Sequence, residues 1–563
     1  MPVLLLKPYI RYLLAVSGKQ LFIGFCLLLL VALTEGFSLF LLLPLLSLLT
    51  GDTSVTDQLP GFFRQLPNMF NPAGMLLLFF LLLCIRAAGV YVREQYLTLI
   101  RLQTTDKLRS DLFSAMLHCR WQVSSAVAHD HSLEQLTSGI TRVGMATFHL
   151  LKIATSLVLL LTYLVVACQL APLAMLLALL TGGVTIYLLR GINRTALTLG
   201  EGLTQTNRLL YNRVLFYLNG LKTIKAFQRE TEQVALFEQQ QAKLQQNQID
   251  YQRKSGRNQL LFSIVSAAMV CLLAYGGLFW LEVPMATLML LVLVFVRLMP
   301  MLADIQATFQ RLLHTLPAFA DIQHSLVGFR QQVETVPDAV NLAAPKHSIA
   351  LQAAGFHHSS GRGFSQVDLS LPVGRISLLQ GASGSGKTTI ADVISGLLQL
   401  QQGTFCLDGQ ALSAAELAAW RQQVVYITQE PFLFDATIRD NIGWGLSLDD
   451  QTLTAICQQA AADFIFSLPQ GLDTRIGERG INLSGGQRQR LILARALCRK
   501  PALLILDEAS NALDAETEQQ WLSNLRQLTQ LTKGLTILCI SHREDAAQFA
   551  DHLIDLNTLI KTD

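Results

Sequence analysis

The chain has 563 residues, 51% of them hydrophobic and 15% charged, with a net charge of +3. That length exceeds one ordinary core, and the charged fraction lies well below the roughly 25% of soluble domains, so a membrane part joined to a soluble part is expected. The small net charge gives no support for a nucleic-acid partner, and nine scattered cysteines without a CxxC pair argue against a zinc site or a disulfide framework.

The first segment, MPVLLLKPYIRYLLAVSGKQ, reads as an amphipathic helix lying on the membrane with Lys7, Arg11 and Lys19 toward the headgroups. It does not read as a signal peptide, because the apolar run behind it is too long and lacks a small-residue cleavage site. Apolar runs follow at 20–49, 73–100, 144–168, 172–190, 259–281 and 285–303. Each can approach the roughly 20 residues that cross a hydrocarbon core, so six spans are expected. The connectors at 51–72, 169–172 and 282–284 hold almost no basic residues, whereas those at 101–143 and 190–258 are rich in Arg and Lys. The basic connectors therefore face the cytosol, and six spans place both termini there. These two connectors keep a helical period and few Pro or Gly, so they read as helices continuing out of the membrane. Asn219–Gly220 breaks the second of them into a turn.

Three ionisable residues lie at one depth within the apolar runs: Glu35, Arg86 and Arg297. Glu35 lies about a dozen residues from the outer end of its span, roughly 18 Å deep at 1.5 Å per residue, and the two arginines lie at similar depth. A charge at that depth is paired or functional. Either Glu35 neutralises Arg86 or Arg297 and fixes helix register, or one arginine is left over and makes a cavity suited to an anionic group.

After about residue 305 the composition is that of a soluble protein. The strand-like RISLLQ leads into GASGSGKTT and then a helical TIADVISGLLQL, the strand–turn–helix context of a phosphate-binding loop. Gly381, Gly384 and Gly386 allow the backbone to curl, so that N–H groups along Gly381, Ala382, Ser383, Gly384, Ser385, Gly386, Lys387, Thr388 and Thr389 face phosphate oxygens. Lys387 reaches the β- and γ-phosphates, and Thr388 ligates Mg²⁺. A second strand, ALLILDE, ends in Asp507 and Glu508. Alone such a pair is an ordinary solvated strand end; beside a phosphate loop, one carboxylate can hold Mg²⁺ and the other can orient the attacking water. In LSGGQRQRLILARAL, Ser484 caps a helix whose first N–H groups, at Gly485 and Gly486, stay bare.

LSGGQ between a phosphate loop and ILDEAS resembles the signature of ATP-binding cassette (ABC) transporters, and the resemblance covers essentially the whole chain. It implies an all-α six-helix transmembrane domain (residues 1–330), a linker (331–347) and an α/β P-loop ATPase domain (348–563). It further implies that Gln429, in ITQEPFLFDATIRDNI, senses Mg²⁺ and the water, that Asp514 belongs to the D-loop, and that His542, in CISHR, is the switch histidine. Lys387, Gln429, Glu508 and His542 are the catalytic set, and Thr388, Gln429 and Asp507 form the Mg²⁺ set. TRIGERG (474–480) is similar to the exporter segment that touches the cytosolic helices, whose turns lie near residues 105–118 and 210–222. In the family two cassettes pair head to tail, each ATP lying against the partner's Ser484, Gly485, Gly486 and Gln487. One cassette per chain implies a homodimer, with a paralogous partner as the alternative. GFHHSS departs from the pattern by placing His358 where a tyrosine usually stacks on adenine.

A membrane domain fused ahead of a cassette, with no peptidase-like domain in front, resembles the exporter branch. TEGFSLFLLLPLLSLL and FVRLMP resemble, more weakly, exporters that flip lipid-linked saccharides across the inner membrane. The function implied is an ATP-hydrolysing inner-membrane exporter of an anionic amphiphile, with its cassette in the cytosol. A peptide or secondary-metabolite exporter is the alternative, and an ATP-gated channel or sensor is a third reading with the same motifs.

Overall fold

The computed structural model describes residues 2–50, 72–126, 129–170, 172–279, 285–334, 342–358, 361–382, 384–429, 432–509, 515–532, 534–541 and 547–559. The chain forms two compact units, Met1–Cys119 with Val123–Val333, and Arg120–Gln122 with Glu334–Asp563.

Among the described residues the first unit is built on six long helices: α1 (Pro2–Thr50), α2 (Pro72–His118), α3 (Ile140–Leu170), α4 (Pro172–Asn219), α5 (Glu230–Phe279) and α6 (Met285–Gln331). They run from 31 to 50 residues. At 1.5 Å per residue five of them exceed 65 Å, about twice a hydrocarbon core, so the basic connectors are indeed helix rather than loop. Among the described residues, Leu5–Ser38, Leu76–His118 and His131–Val165 are long and apolar enough to cross a membrane. Most side chains of the expected fourth run lie outside the described residues. Gly220 ends α4 as expected, and a short helix, Leu221–Ala226, leads toward α5. Pro300 and Pro317 lie inside α6 without ending it.

The N-terminal segment is amphipathic, and Lys7, Arg11 and Lys19 are exposed. Its apolar face is covered by protein rather than lipid. Tyr9 and Leu13 pack with Leu108, Leu112, Ile140, Leu312, Leu316 and Phe319, and the Tyr9 hydroxyl meets Thr147 Oγ1 at 2.8 Å. The helix breaks at Ser17 (φ −128°, ψ 26°), which separates this segment from the apolar run behind it.

The second unit carries two sheets. The antiparallel sheet has the order β2-β1-β4-β5, with β1 at Ser348–His357, β2 at Gly363–Pro372, β4 at Gln402–Leu407 and β5 at Gln410–Ala411. The parallel sheet has the order β6-β7-β8-β3-β9, with β3 at Ile376–Gln380, β6 at Val424–Ile427, β7 at Leu503–Asp507, β8 at Thr536–Ile540 and β9 at His552–Asp555. β7 and β8 are buried along their whole length, as strands covered on both faces must be, and that is why they read as unbroken apolar runs. Helix α7 (Lys387–Ile394) follows β3, and α8 (Gly485–Cys498) packs its apolar face into the core beside β6 and β7. Open parallel sheets bind ligands beyond the carboxyl ends of their strands. The phosphate loop follows β3, Gln429 follows β6 and Glu508 follows β7, so the motifs gather at one edge.

Candidate ATPase site and intramembrane charge cluster

The loop from Gly381 to Gly386 turns through Gly384 (φ 82°) and Gly386 (φ 92°), left-handed positions that a side chain would strain. Gly386 caps α7 without any side-chain hydrogen bond, and the first intrahelical bond is Ile390 N–H to Gly386 O at 2.9 Å. The N–H groups of Lys387, Thr388 and Thr389 therefore have no helical partner, and the buried Ser385 hydroxyl has none either. Lys387 is 7% exposed, and its ammonium donates to the carbonyls of Gly381 and Ala382, both at 2.9 Å. Burial lowers its pKa, opposed by the charges of Glu508 and Asp507. The Ala382 and Ser385 N–H groups are already taken, by Asn557 Oδ1 and Ala382 O, both at 3.2 Å, so it is the bare donors at the start of α7 that fit the phosphates of a nucleotide.

Asp507 ends β7 buried, gripped by hydroxyls from two sides. Tyr426 donates to its Oδ2 at 2.8 Å, and Thr388 bonds it from α7. Burial raises the Asp507 pKa, while the two hydroxyls and Lys387 oppose that rise and Glu508 adds to it. Gln429 Nε2 donates to Glu508 Oε2 at 2.8 Å. Glu508 itself has φ 50°, the left-handed region, with its N–H held by Ile540 O at 3.0 Å. Such strain in a non-glycine residue concentrates at functional sites. Thr388, Asp507 and Gln429 offer only oxygen ligands, the set that suits Mg²⁺. No local pattern marks Tyr426, whose partner Asp507 lies 81 residues away in the chain.

Helix α8 begins with a complete capping box. Ser484 Oγ accepts from Gln487 N–H at 3.2 Å, and Gln487 Oε1 accepts from Ser484 N–H at 2.9 Å. The cap therefore consumes the Gln487 N–H, and Gly485 and Gly486 carry the unused donors. Arg495, on the far end of α8, donates to Asn441 O, Asn441 Oδ1 and Phe432 O at 2.6–2.7 Å, which ties residues 432–441 to the signature helix. His358 ends its ring nitrogen Nε2 3.4 Å from Thr389 Oγ1. Ser383, Asp514 and His542 lie outside the described residues.

In the first unit, Glu35 is 6% exposed and doubly held. Arg86 Nη2 lies 2.8 Å from Glu35 Oε1, and the Tyr163 hydroxyl donates to the same oxygen at 2.6 Å. Gly36 makes this possible: a Cβ there would stand 2.8 Å from Thr162 Cγ2, so α1 and α3 approach too closely for a larger residue. Arg297 is exposed and forms no ion pair among the described residues, yet it lies within electrostatic reach of the Tyr163 hydroxyl, as Arg86 does. Glu35 thus pairs with Arg86, and Arg297 is the arginine left over.

One further cluster was invisible in the sequence. His131, Glu134 and Asp321 bring ligand-type atoms within 4.8 Å of one another, 190 residues apart in the chain. Part of the cluster is already engaged: Gln135 Nε2 sits 2.7 Å from Asp321 Oδ2 and 2.8 Å from Ser325 Oγ, and Arg142 bonds Glu134 Oε1 at 2.5 Å, while Glu134 Oε2 is buried without a hydrogen-bond partner. The cluster fastens the π-helix Gln135–Gly139 to α6. All nine cysteines are free thiols.

Comparison with known proteins matches residues 21–299 to the ABC transporter transmembrane region and residues 364–511 to the ABC transporter domain. The heterocyst differentiation ATP-binding protein HepA of Nostoc sp. is 28% identical over 83% of this chain and 77% of that protein. An ATP-dependent lipid A-core flippase of Desulfotalea psychrophila is 35% identical over 41% of this chain, a stretch that spans only 40% of the flippase. A solved bacterial Atm1-family ABC exporter with ATP bound shares the fold, with a TM-score of 0.79 over 96% of this chain and 94% of that one at 22% identity. With a membrane region and an ATPase cassette matched in one polypeptide, the chain belongs to the ABC transporter family, as an exporter-type half-transporter whose cassette is an ATPase coupled to transport.

Proposed function

We propose that this half-transporter moves an anionic amphiphile, of the lipid-linked saccharide class, away from the cytosolic leaflet of an inner membrane. The observation that carries this reading is Arg297, which has no ion-pair partner among the described residues and stands beside a Glu35–Arg86–Tyr163 cluster already neutral in itself. A cavity lined by that surplus guanidinium favours a phosphate or carboxylate head group, because an unpaired charge in lipid is otherwise costly. The partial likeness to a lipid A-core flippase points the same way.

The domain assignment on this reading is 1–330 for a six-span membrane domain, 331–347 for the linker and 348–563 for a cytosolic cassette. Two chains pair, so that Ser484, Gly485 and Gly486 of one close over nucleotide held by Gly381–Thr389 of the other. Bound Mg²⁺ would be held by Thr388, Asp507 and Gln429 and would offset phosphate charge. Within this chain, Lys387 binds phosphate oxygens, Glu508 takes the proton of the attacking water, and Gln429 fixes the Glu508 carboxylate through its amide. His542 and Asp514 complete the set. Hydrolysis then resets a membrane cavity that cassette closure had opened outward.

The test is ATPase stimulation in purified protein. Lipid-linked glycans with a pyrophosphate should stimulate wild-type turnover, and Arg297→Ala should abolish stimulation while basal turnover persists. Stimulation by neutral peptides that survives Arg297→Ala would favour the peptide reading instead.

A further inference from the structure

His358 is the one place where the nucleotide site departs from the family pattern, and its geometry differs from that of a free stacking ring. The β1–β2 hairpin carries it. His358 N–H donates to Arg362 O at 2.8 Å, and Gly361 N–H donates to His358 O at 2.8 Å, so the His358 backbone is held on both sides. The hairpin lies against the phosphate loop: a Cβ on Gly386 would meet Gly363 O at 3.7 Å and Phe364 Cβ at 3.9 Å. The imidazole is then fixed at two points. Phe356 holds it edge to face, with centroids 5.0 Å apart and planes at 81°. On the other side, Nε2 stands 3.4 Å from Thr389 Oγ1.

Thr389 is the third residue of α7, inside the first turn, where N–H groups lack helical partners and the helix is positive. A ring nitrogen aimed at that hydroxyl is aimed at the place where phosphate oxygens bind. Imidazole also offers less stacking area than phenol, so a base-stacking role is weak for this residue. We infer that His358 reads the phosphate end of the nucleotide, together with Thr389, rather than its base. The consequence is a site tolerant of the base: ATP and GTP bind with similar affinity, and the discrimination that an adenine-stacking ring supplies is largely absent. The inference rests on the nucleotide reading of the phosphate loop.

Equilibrium binding to the intact full-length protein, with Mg²⁺ and without turnover, tests it using ATP, GTP and inorganic tripolyphosphate as probes. Wild type should bind ATP and GTP within about threefold of each other. His358→Ala should weaken all three probes alike, by about tenfold or more, the scale of a lost hydrogen bond to a charged group. His358→Tyr should fail to restore tripolyphosphate binding and should bring in a preference for ATP over GTP. Loss of ATP binding in His358→Ala with tripolyphosphate unchanged would show base stacking and overturn the inference, as would no change in any probe. A melting curve guards against misfolding, and His358→Gln, which keeps a donor, should retain tripolyphosphate binding. Lys387→Ala separates the two layers: if it leaves all three probes untouched the nucleotide reading fails, whereas a null result at His358 alone sinks only this inference.

Discussion

Glu508 sits in a left-handed conformation that costs a non-glycine residue roughly 1–2 kcal/mol, and its carboxylate meets Gln429 at 2.8 Å. On the proposed function this carboxylate takes a proton from water. Glu508→Gln keeps the shape and the acceptor for Gln429 but removes the base, so ATP binding should persist while turnover falls by about 100-fold or more; steady-state phosphate release against nucleotide affinity measures both. Asp392, on α7 below the site, behaves differently. Burial first and the Asp507 charge second raise its carboxyl from 3.8 to about 7. The folded protein therefore keeps a proton that the unfolded chain gives up near pH 4. The stability from this group is complete below about pH 4 and is lost as pH rises through about 7. Asp392→Asn should flatten that slope, worth at most about 4 kcal/mol, in unfolding curves measured from pH 4 to 8.

At the scale of elements, α1, α2 and α3 are bound through one carboxylate oxygen. Glu35 Oε1 takes both Arg86 and Tyr163, and Gly36 allows the close approach. Arg86→Ala leaves a buried carboxylate short of its cation and should destabilise the membrane unit by about 3 kcal/mol, read as a lower unfolding temperature in detergent; Arg297→Ala should leave that temperature unchanged. The long helices were legible because apolar runs and helical period extend over dozens of residues. The parallel strands were legible because burial on both faces leaves unbroken runs such as LLILD. Side-chain partnerships were not. Tyr163 lies 128 residues from Glu35, and Asp321 lies 186 residues from Gln135, and no local pattern carries such pairings. The N-terminal amphipathic face was read as lying on lipid, because period alone cannot say whether protein or membrane covers it; Tyr9 and Leu13 are covered by α2, α3 and α6.

For the whole molecule, the proposed function has a second copy of the chain close the site, its signature helix covering nucleotide on this chain's phosphate loop. Mixing Lys387→Ala chains with Gly486→Asp chains tests this. Each parent dimer should be inactive, and the mixture should regain turnover, since one mixed site joins an intact loop to an intact signature. Two inactive parents that stay inactive when mixed would place the site within one chain. On the proposed function, ATP turnover drives an anionic amphiphile past Arg297. ATP-dependent translocation in proteoliposomes, comparing a pyrophosphate-linked glycolipid with a neutral glycolipid of the same chain length, tests it directly. Wild type should move the anionic lipid and little of the neutral one, and Arg297→Ala should lose anionic transport with nucleotide binding intact. Equal transport of both lipids, unaffected by Arg297→Ala, would contradict it.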